Sequence, residues 1–209
     1  MSRDIEIRRG RLVDVESVVD LHYRVFDERT HLTMLFGRSF LRAAYRWYSD
    51  SPDAFTVVAT VKGGLEGACA VNHGSYYMVF SKNTGALVRA ILRKPSVLFN
   101  RAVWRRLATL RLRYASTAGN PAYLAYLAVS PAGREAGIGK ELITAAIAEC
   151  RRRGWVDIMT ATHRDNVPAR FMYKTLGFEE FTAISHDGLV GIRLRSASAA
   201  PTVTRSSSS

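Results

Sequence analysis

The sequence predicts a mixed α/β fold of the α+β kind, built as one domain. Three observations carry that prediction. Short runs rich in β-branched and apolar residues alternate with segments whose apolar residues recur at helical spacing. Two turn signals, Lys62-Gly63-Gly64 and Ser185-His186-Asp187-Gly188, each sit between strand-like runs, so the chain folds back on itself as hairpins. A length of 209 residues with a hydrophobic fraction of 47% suits one domain with a real core, with or without an insertion.

The elements follow in order. From Asp4 to Arg8, Ile5 and Ile7 alternate with charged residues, which predicts a first strand. Asp14 is placed to cap a helix whose apolar face uses Val15, Val18, Val19, His22 or Tyr23, and Phe26. A linker from Asp27 to Leu35 leads to a second helix, about Arg38 to Tyr48, with Phe40, Leu41, Ala44, Tyr45 and Tyr48 on one face. Ser51-Pro52-Asp53 stops it. Phe55 to Val61 is a β-branched strand, Lys62-Gly63-Gly64 turns, and Leu65 to Val71 returns. The stretch 72–120 holds two predicted helices, Thr84 to Arg93 and about Val97 to Arg113, separated by Lys94-Pro95. An apolar strand, Tyr123 to Val129, is broken by Ser130-Pro131. A glycine-bearing loop, Gly133 to Lys140, precedes a periodic helix from Glu141 to about Arg153, with Leu142, Ile143, Ala146, Ile147 and Cys150 inward and Gly154 at its end. Val156 to Thr162 is a strand. Asn166 caps a short helix that tolerates Pro168 in its first turn and ends at Gly177. Phe178 to Ile184 and Leu189 to Arg195 form a closing hairpin. The domain thus spans 1–195, and the Ser-, Ala- and Thr-rich segment 196–209 reads as a disordered tail.

Composition excludes several classes. No apolar run is long enough to span a bilayer, and the charged start Met1-Ser2-Arg3-Asp4 lacks the apolar core of a secretory signal. The two cysteines, Cys69 and Cys150, have neither metal-ligand nor redox spacing, so both read as buried small hydrophobes in a reducing cytoplasm, and no metal is expected. The net charge of +12 is unevenly distributed. Between Glu66 and Glu135 there is no Asp or Glu, while Lys82, Arg89, Arg93, Lys94, Arg101, Arg105, Arg106, Arg111, Arg113 and Arg134 all fall there. Such a basic stretch suits an anionic partner.

The strand, glycine loop and helix from Tyr123 to Arg153 suit a phosphate-bearing ligand. Amides at a helix start are unpaired and carry positive partial charge, and glycine lets the backbone approach an anion. Two well-known loops fail on spacing. A Walker A loop needs four residues before its Gly-Lys pair and then Ser or Thr, but five residues separate Gly133 from Gly139 and Glu141 follows Lys140. A dinucleotide fingerprint needs a third glycine where Leu142 stands. What survives is Arg134-x-x-Gly137-x-Gly139 behind a strand ending in Val129-x-Pro131.

That run, Leu127-Ala128-Val129-Ser130-Pro131-x-x-Arg134-x-x-Gly137-Ile138-Gly139-x-x-Leu142, resembles the acetyl-coenzyme A signature of the GNAT superfamily of N-acetyltransferases. A second block agrees: Asn166-Val167-Pro168-Ala169 leads into Phe171-Met172-Tyr173-Lys174-x-Leu176-Gly177-Phe178, which resembles the family's closing helix. The resemblance is specific over Tyr123 to Phe181 and general before that. It implies a mixed, mostly antiparallel sheet flanked by helices, with the basic helical stretch as an insertion between the third and fourth strands.

The resemblance also implies direct acetyl transfer from acetyl-coenzyme A to an amine. The pyrophosphate would lie on the amides of Arg134, Glu135, Ala136, Gly137, Ile138, Gly139 and Lys140. The pantetheine arm would run along Leu127, Ala128 and Val129, whose strand the family splays from the next, and an amide there would hold the thioester oxygen. Asn166 and Ala169 would complete the cofactor site. Tyr173 would protonate the leaving thiolate. Many members carry a carboxylate on the strand before the loop. Here that strand has none, which leaves Asp27, Glu28, His31, His73 and His163, or waters reached through Tyr126, as base candidates. Asp27, Glu28, Tyr126 and His163 are the candidate acceptor-side residues. The partners implied are a small-molecule amine and, at the basic stretch, an anionic substrate; an anionic membrane or nucleic acid, or a solvated face of a packed helical pair, are the other readings of that stretch, together about level with the first. A homodimer is compatible with this reading. A non-catalytic acyl-coenzyme A-binding module is the alternative.

Overall fold

A computed structural model of the chain describes residues 4–27, 31–101, 103, 120–181 and 189–194. Strand β1 (Ile5–Arg9) leads through a 3-10 turn, Leu12–Asp14, into α1 (Val15–Val25). A second 3-10 turn, Leu32–Phe36, precedes α2 (Gly37–Asp50), then β2 (Ala54–Val61) and β3 (Gly64–His73). Next come the short α3 (Met78–Ser81), α4 (Thr84–Arg93) and a 3-10 turn, Pro95–Val97. The second half holds β4 (Ala122–Val129), α5 (Pro131–Glu135), α6 (Ile138–Arg152), β5 (Ile158–His163), α7 (Val167–Thr175), β6 (Glu179–Phe181) and β7 (Leu189–Leu194).

The strands form one sheet in the order β1-β2-β3-β4-β5-β7-β6. All pairings are antiparallel except β4 with β5. The β2–β3 hairpin closes on Lys62 (φ 50°) and Gly63 (φ 79°), the two positive φ values that a two-residue primed turn needs. Alternation along the strands splits the interior in two. On one face Val58, Ala68, Ala70, Tyr126 and Ala128 meet α1 and α2. On the other, Val57, Ala59, Cys69, Val71 and Leu124 meet α6 and α7. The α6 helix sits close to β3 because Gly67 has no side chain. A Cβ there would stand 2.7 Å from Leu142 Cδ1 and 2.8 Å from Ile138 Cγ2.

Several expectations are revised. Asp14 precedes α1, but its carboxylate makes no cap bond. It accepts from the Arg8 guanidinium at 2.7 Å and from the Arg11 amide instead, tying β1 to the first turn. Part of the predicted linker 27–35 is the Leu32–Phe36 turn, and α3 went unforeseen. Ser130-Pro131 ends β4 at Val129 as expected, but helix follows it where a glycine-bearing loop was expected. Ser130 Oγ accepts the Gly133 amide at 3.0 Å and Pro131 takes the first helical position, so the pair starts α5. The helix expected from Glu141 begins three residues earlier, at Ile138, with Gly139 inside its first turn. Most of the predicted helix over 97–113, the turn at 185–188, and the tail at 196–209 lie outside the described residues.

Candidate active site

The parallel pairing of β4 with β5 is short. It holds at Ala122 with Ile158 and Tyr123 with Met159, and then the strands part. At the apex Thr160 Oγ1 donates to the Leu124 carbonyl at 3.0 Å. Beyond it β5 stays paired to β7 as far as His163, so one edge of β4 faces an opening. The pairing of β4 with β3 skips Ala125 between Leu124 and Tyr126. That bulge puts two successive residues on the same face and re-aims the strand where the opening begins. Leu127, Ala128 and Val129 therefore line its wall.

The far end of β4 runs into two helices. Gly137, at φ 76°, lets the chain reverse between α5 and α6 without a side-chain penalty. The amides of Arg134, Ala136, Gly137 and Lys140 bond to Ser130, Ala132, Arg134 and Gly137 carbonyls. Those of Ile138 and Gly139 make no hydrogen bond among the described residues, as expected at a helix start. Arg134 Nε donates to the Val129 carbonyl at 3.1 Å, which fixes its guanidinium beside the end of β4. Glu135 and Lys140 are exposed beside it. A Cβ added to Gly139 would lie 3.4 Å from Met172 Sδ and 3.9 Å from Leu127 Cδ2. The start of α6, the second half of α7 and the β4 wall thus converge on one spot.

The α7 helix is held by Asn166, whose side chain accepts the Ala169 amide at 3.3 Å. Tyr173 is buried, with its ring 5.3 Å from that of Phe178. Burial raises its phenol pKa, Cys69 adds to this, and a hydrogen bond with Thr160 offsets part of it. Tyr173 therefore stays protonated at neutral pH and shares Thr160 with the apex of the opening.

On the opposite face Tyr126 is the centre of a buried polar cluster. Its hydroxyl donates to Tyr76 Oη at 3.1 Å. Its ring lies 5.2 Å from His22 and 5.4 Å from His31. His22 Nδ1 is 2.8 Å from Tyr45 Oη, and His22 Nε2 is 3.2 Å from His31 Nδ1, which also lies 3.2 Å from Thr33 Oγ1. Burial, helped by the neighbouring His31, lowers the His22 pKa to about 2, and burial lowers that of His31 to about 4. Both imidazoles are uncharged at neutral pH.

Among the described base candidates, His31 packs on the Tyr126 ring of β4, beside the opening. Asp27 is exposed at the end of α1, and Glu28 lies outside the described residues. His73 pairs opposite Ala122, at the closed end of the strand, and stacks on Trp155 at 5.0 Å. His163 is exposed at the end of β5, across the opening from Leu127. Sequence reading missed the network around Tyr126. Its one signal was an ambiguous α1 face, His22 or Tyr23. Among the described residues no three His, Cys, Asp or Glu side chains form a metal-holding group, and no helix is long and apolar enough to cross a membrane.

The sequence model of the acetyltransferase (GNAT) family matches residues 27–178, well over half of the chain. The chain belongs to that family. As a GNAT acetyltransferase it is an acyltransferase, and its open, mostly antiparallel sheet flanked by helices is the expected one. No curated protein matches the sequence. Solved structures resemble the GNAT fold seen here at low identity. The PaiA N-acetyltransferase of Thermoplasma acidophilum, in complex with coenzyme A, has a TM-score of 0.58 at 15% identity, over 93% of this chain and 99% of its own. The putative acetyltransferase YncA of Salmonella typhimurium, with acetyl-CoA, has 0.59 at 15%, over 94% and 96%. The ribosomal-protein-S18-alanine N-acetyltransferase of Escherichia coli has 0.56 at 15%, over 95% and 98%.

Proposed function

We propose that the protein transfers the acetyl group of acetyl-coenzyme A to a primary amine of a small molecule, an anionic amino sugar or amino acid derivative. The observation that carries this reading is the opening between β4 and β5, with an unpaired strand edge on one wall and the bare amides of Ile138 and Gly139 at its end. Those two amides and the positive end of α6 suit a pyrophosphate, with Arg134 and Lys140 adding charge. The family resemblance spread that role over every amide from Arg134 to Lys140. The helices use the amides of Arg134, Ala136, Gly137 and Lys140 internally, which narrows it. The pantetheine amides would pair with Leu127, Ala128 and Val129, while Asn166 and Ala169 hold the α7 side.

Bound acetyl-coenzyme A would supply an activated thioester carbonyl. The chain's own groups then have three tasks. A β4 amide near the Ala125 bulge would donate to the carbonyl oxygen as negative charge grows there. Tyr173, protonated, would give its proton to the thiolate as the C–S bond breaks and the C–N bond forms. Neutral His31, beside Tyr126, would accept a hydrogen bond from an amine that has already given its ammonium proton to solvent, and would orient it for attack. Its lowered pKa suits holding an N–H better than storing the proton, which would leave by solvent.

Thiol release from acetyl-coenzyme A with a panel of amino sugars and amino acids tests the reading. Wild type should release thiol with at least one amine. Tyr173→Phe should lose most turnover while calorimetry still registers coenzyme A binding. Unchanged turnover in that variant would remove Tyr173 as the acid. Binding without turnover on any amine in the wild type would favour a non-catalytic acyl-coenzyme A module.

A further inference from the structure

The α4 helix buries Ala90 and partly buries Ala86, Leu87 and Ile91 against the α1–α2 side of the core. Its outer side is unusual for a surface helix. Val88 and Leu92 stand one turn apart at 48% and 74% exposure, and Arg89 and Arg93 run beside them, also one turn apart. The chain then makes the Pro95–Val97 turn, which buried Val97 pins to the core. Directly after it Leu98 and Phe99 are turned out at 44% and 84%. Lys94 and Arg101 are exposed on the same stretch. Arg89 Nε donates only within its own helix, to Gly85 at 3.1 Å, and Arg89, Arg93, Lys94 and Arg101 form no ion pair among the described residues.

Four large apolar side chains and four cations are thus exposed within fourteen consecutive residues, 88–101. Between Glu66 and Glu135 the sequence holds no Asp or Glu. We propose that this face docks on an anionic lipid bilayer, with Leu92, Leu98 and Phe99 at the acyl boundary and Arg89, Arg93, Lys94 and Arg101 on the headgroup phosphates. A bilayer interface accepts apolar groups and cations together and needs no shape complement. A nucleic acid offers phosphates to the cations but nothing to Leu92 and Val88. An acidic protein would need a concave partner surface to cover side chains that stand out singly.

Flotation of the full chain with vesicles tests this. The protein should float with phosphatidylglycerol-containing vesicles, stay behind with pure phosphatidylcholine, and be released near ~0.5 M salt. Arg89→Gln with Arg93→Gln, and separately Leu92→Ser with Phe99→Ser, should each weaken partitioning about tenfold or more. All four positions are exposed, and unchanged melting curves would show that the variants fold. Failure to float with anionic vesicles at low salt would overturn the proposal. So would vesicle binding indifferent to the Leu92 and Phe99 changes, or capture by duplex DNA that needs only the arginines.

Discussion

His22 lies within an α1 face of apolar residues, where a titratable ring has to be satisfied from neighbours. Tyr45 and His31 supply hydrogen bonds, Phe26 and Tyr126 pack on the ring, and none of these groups carries a charge. Its proton affinity is therefore far lower in the folded chain than in the unfolded one. The unfolded state takes up a proton near pH 6.5 and the folded state only near pH 2, so stability is full above 6.5 and erodes as the pH falls. At pH 5 each buried imidazole costs about 2 kcal/mol. Urea unfolding at pH 7.5 and pH 5 should show that loss, and His22→Gln should lose about 2 kcal/mol less across the same interval; parallel losses would contradict it. Tyr173 was legible as a residue because its place in the Asn166-to-Phe178 block is local. The Tyr126 cluster was not, because Tyr76, Thr33 and His22 come together only through the sheet and two helices.

The α6 helix shows how two glycines of one region differ in kind. At Gly67 the obstacle is space: a Cβ would run into Leu142 and Ile138, so Gly67→Ala should push α6 off β3 and cost about 1–3 kcal/mol by thermal unfolding. At Gly137 nothing lies within 4 Å of an added Cβ, and the obstacle is the backbone at φ +76°. Gly137→Ala should cost about 1 kcal/mol and tilt the start of α6, weakening coenzyme A binding more than stability. Coenzyme A binding weakened no more by Gly137→Ala than by Gly67→Ala would refute this distinction. The elements set by local chemistry were readable: the Lys62-Gly63 turn, the Asn166 cap and the run Thr84 to Arg93. The Ala125 bulge was hidden, because an unbroken apolar run gives no sign of which residue loses its strand partner. Ser130-Pro131 was readable as the end of β4, but not as the start of α5, which the same pair also caps.

Across the whole molecule the order β5-β7-β6 could not be read locally, since it depends on which edge the last strand joins. The family resemblance carried the sheet and the donor site together. Ligand linkage tests that site in the intact protein. Coenzyme A at about 100 times its dissociation constant should add about 2.7 kcal/mol, a melting shift of roughly 5–10 °C for a chain of 209 residues, and Tyr173→Phe should keep that shift. No shift would mean that the α6 amides hold no diphosphate. The parting of β4 from β5 has one more consequence. Side chains of Thr160 and Arg134 meet the Leu124 and Val129 carbonyls at its two ends, and the main-chain groups between have no β5 strand to zip onto. The proposed pantetheine arm would work there as a temporary eighth strand, knitting two half-sheets whose strand pairing spans two residue pairs among the described residues. Amide exchange along Leu127 to Val129 should slow when it arrives and quicken when product leaves.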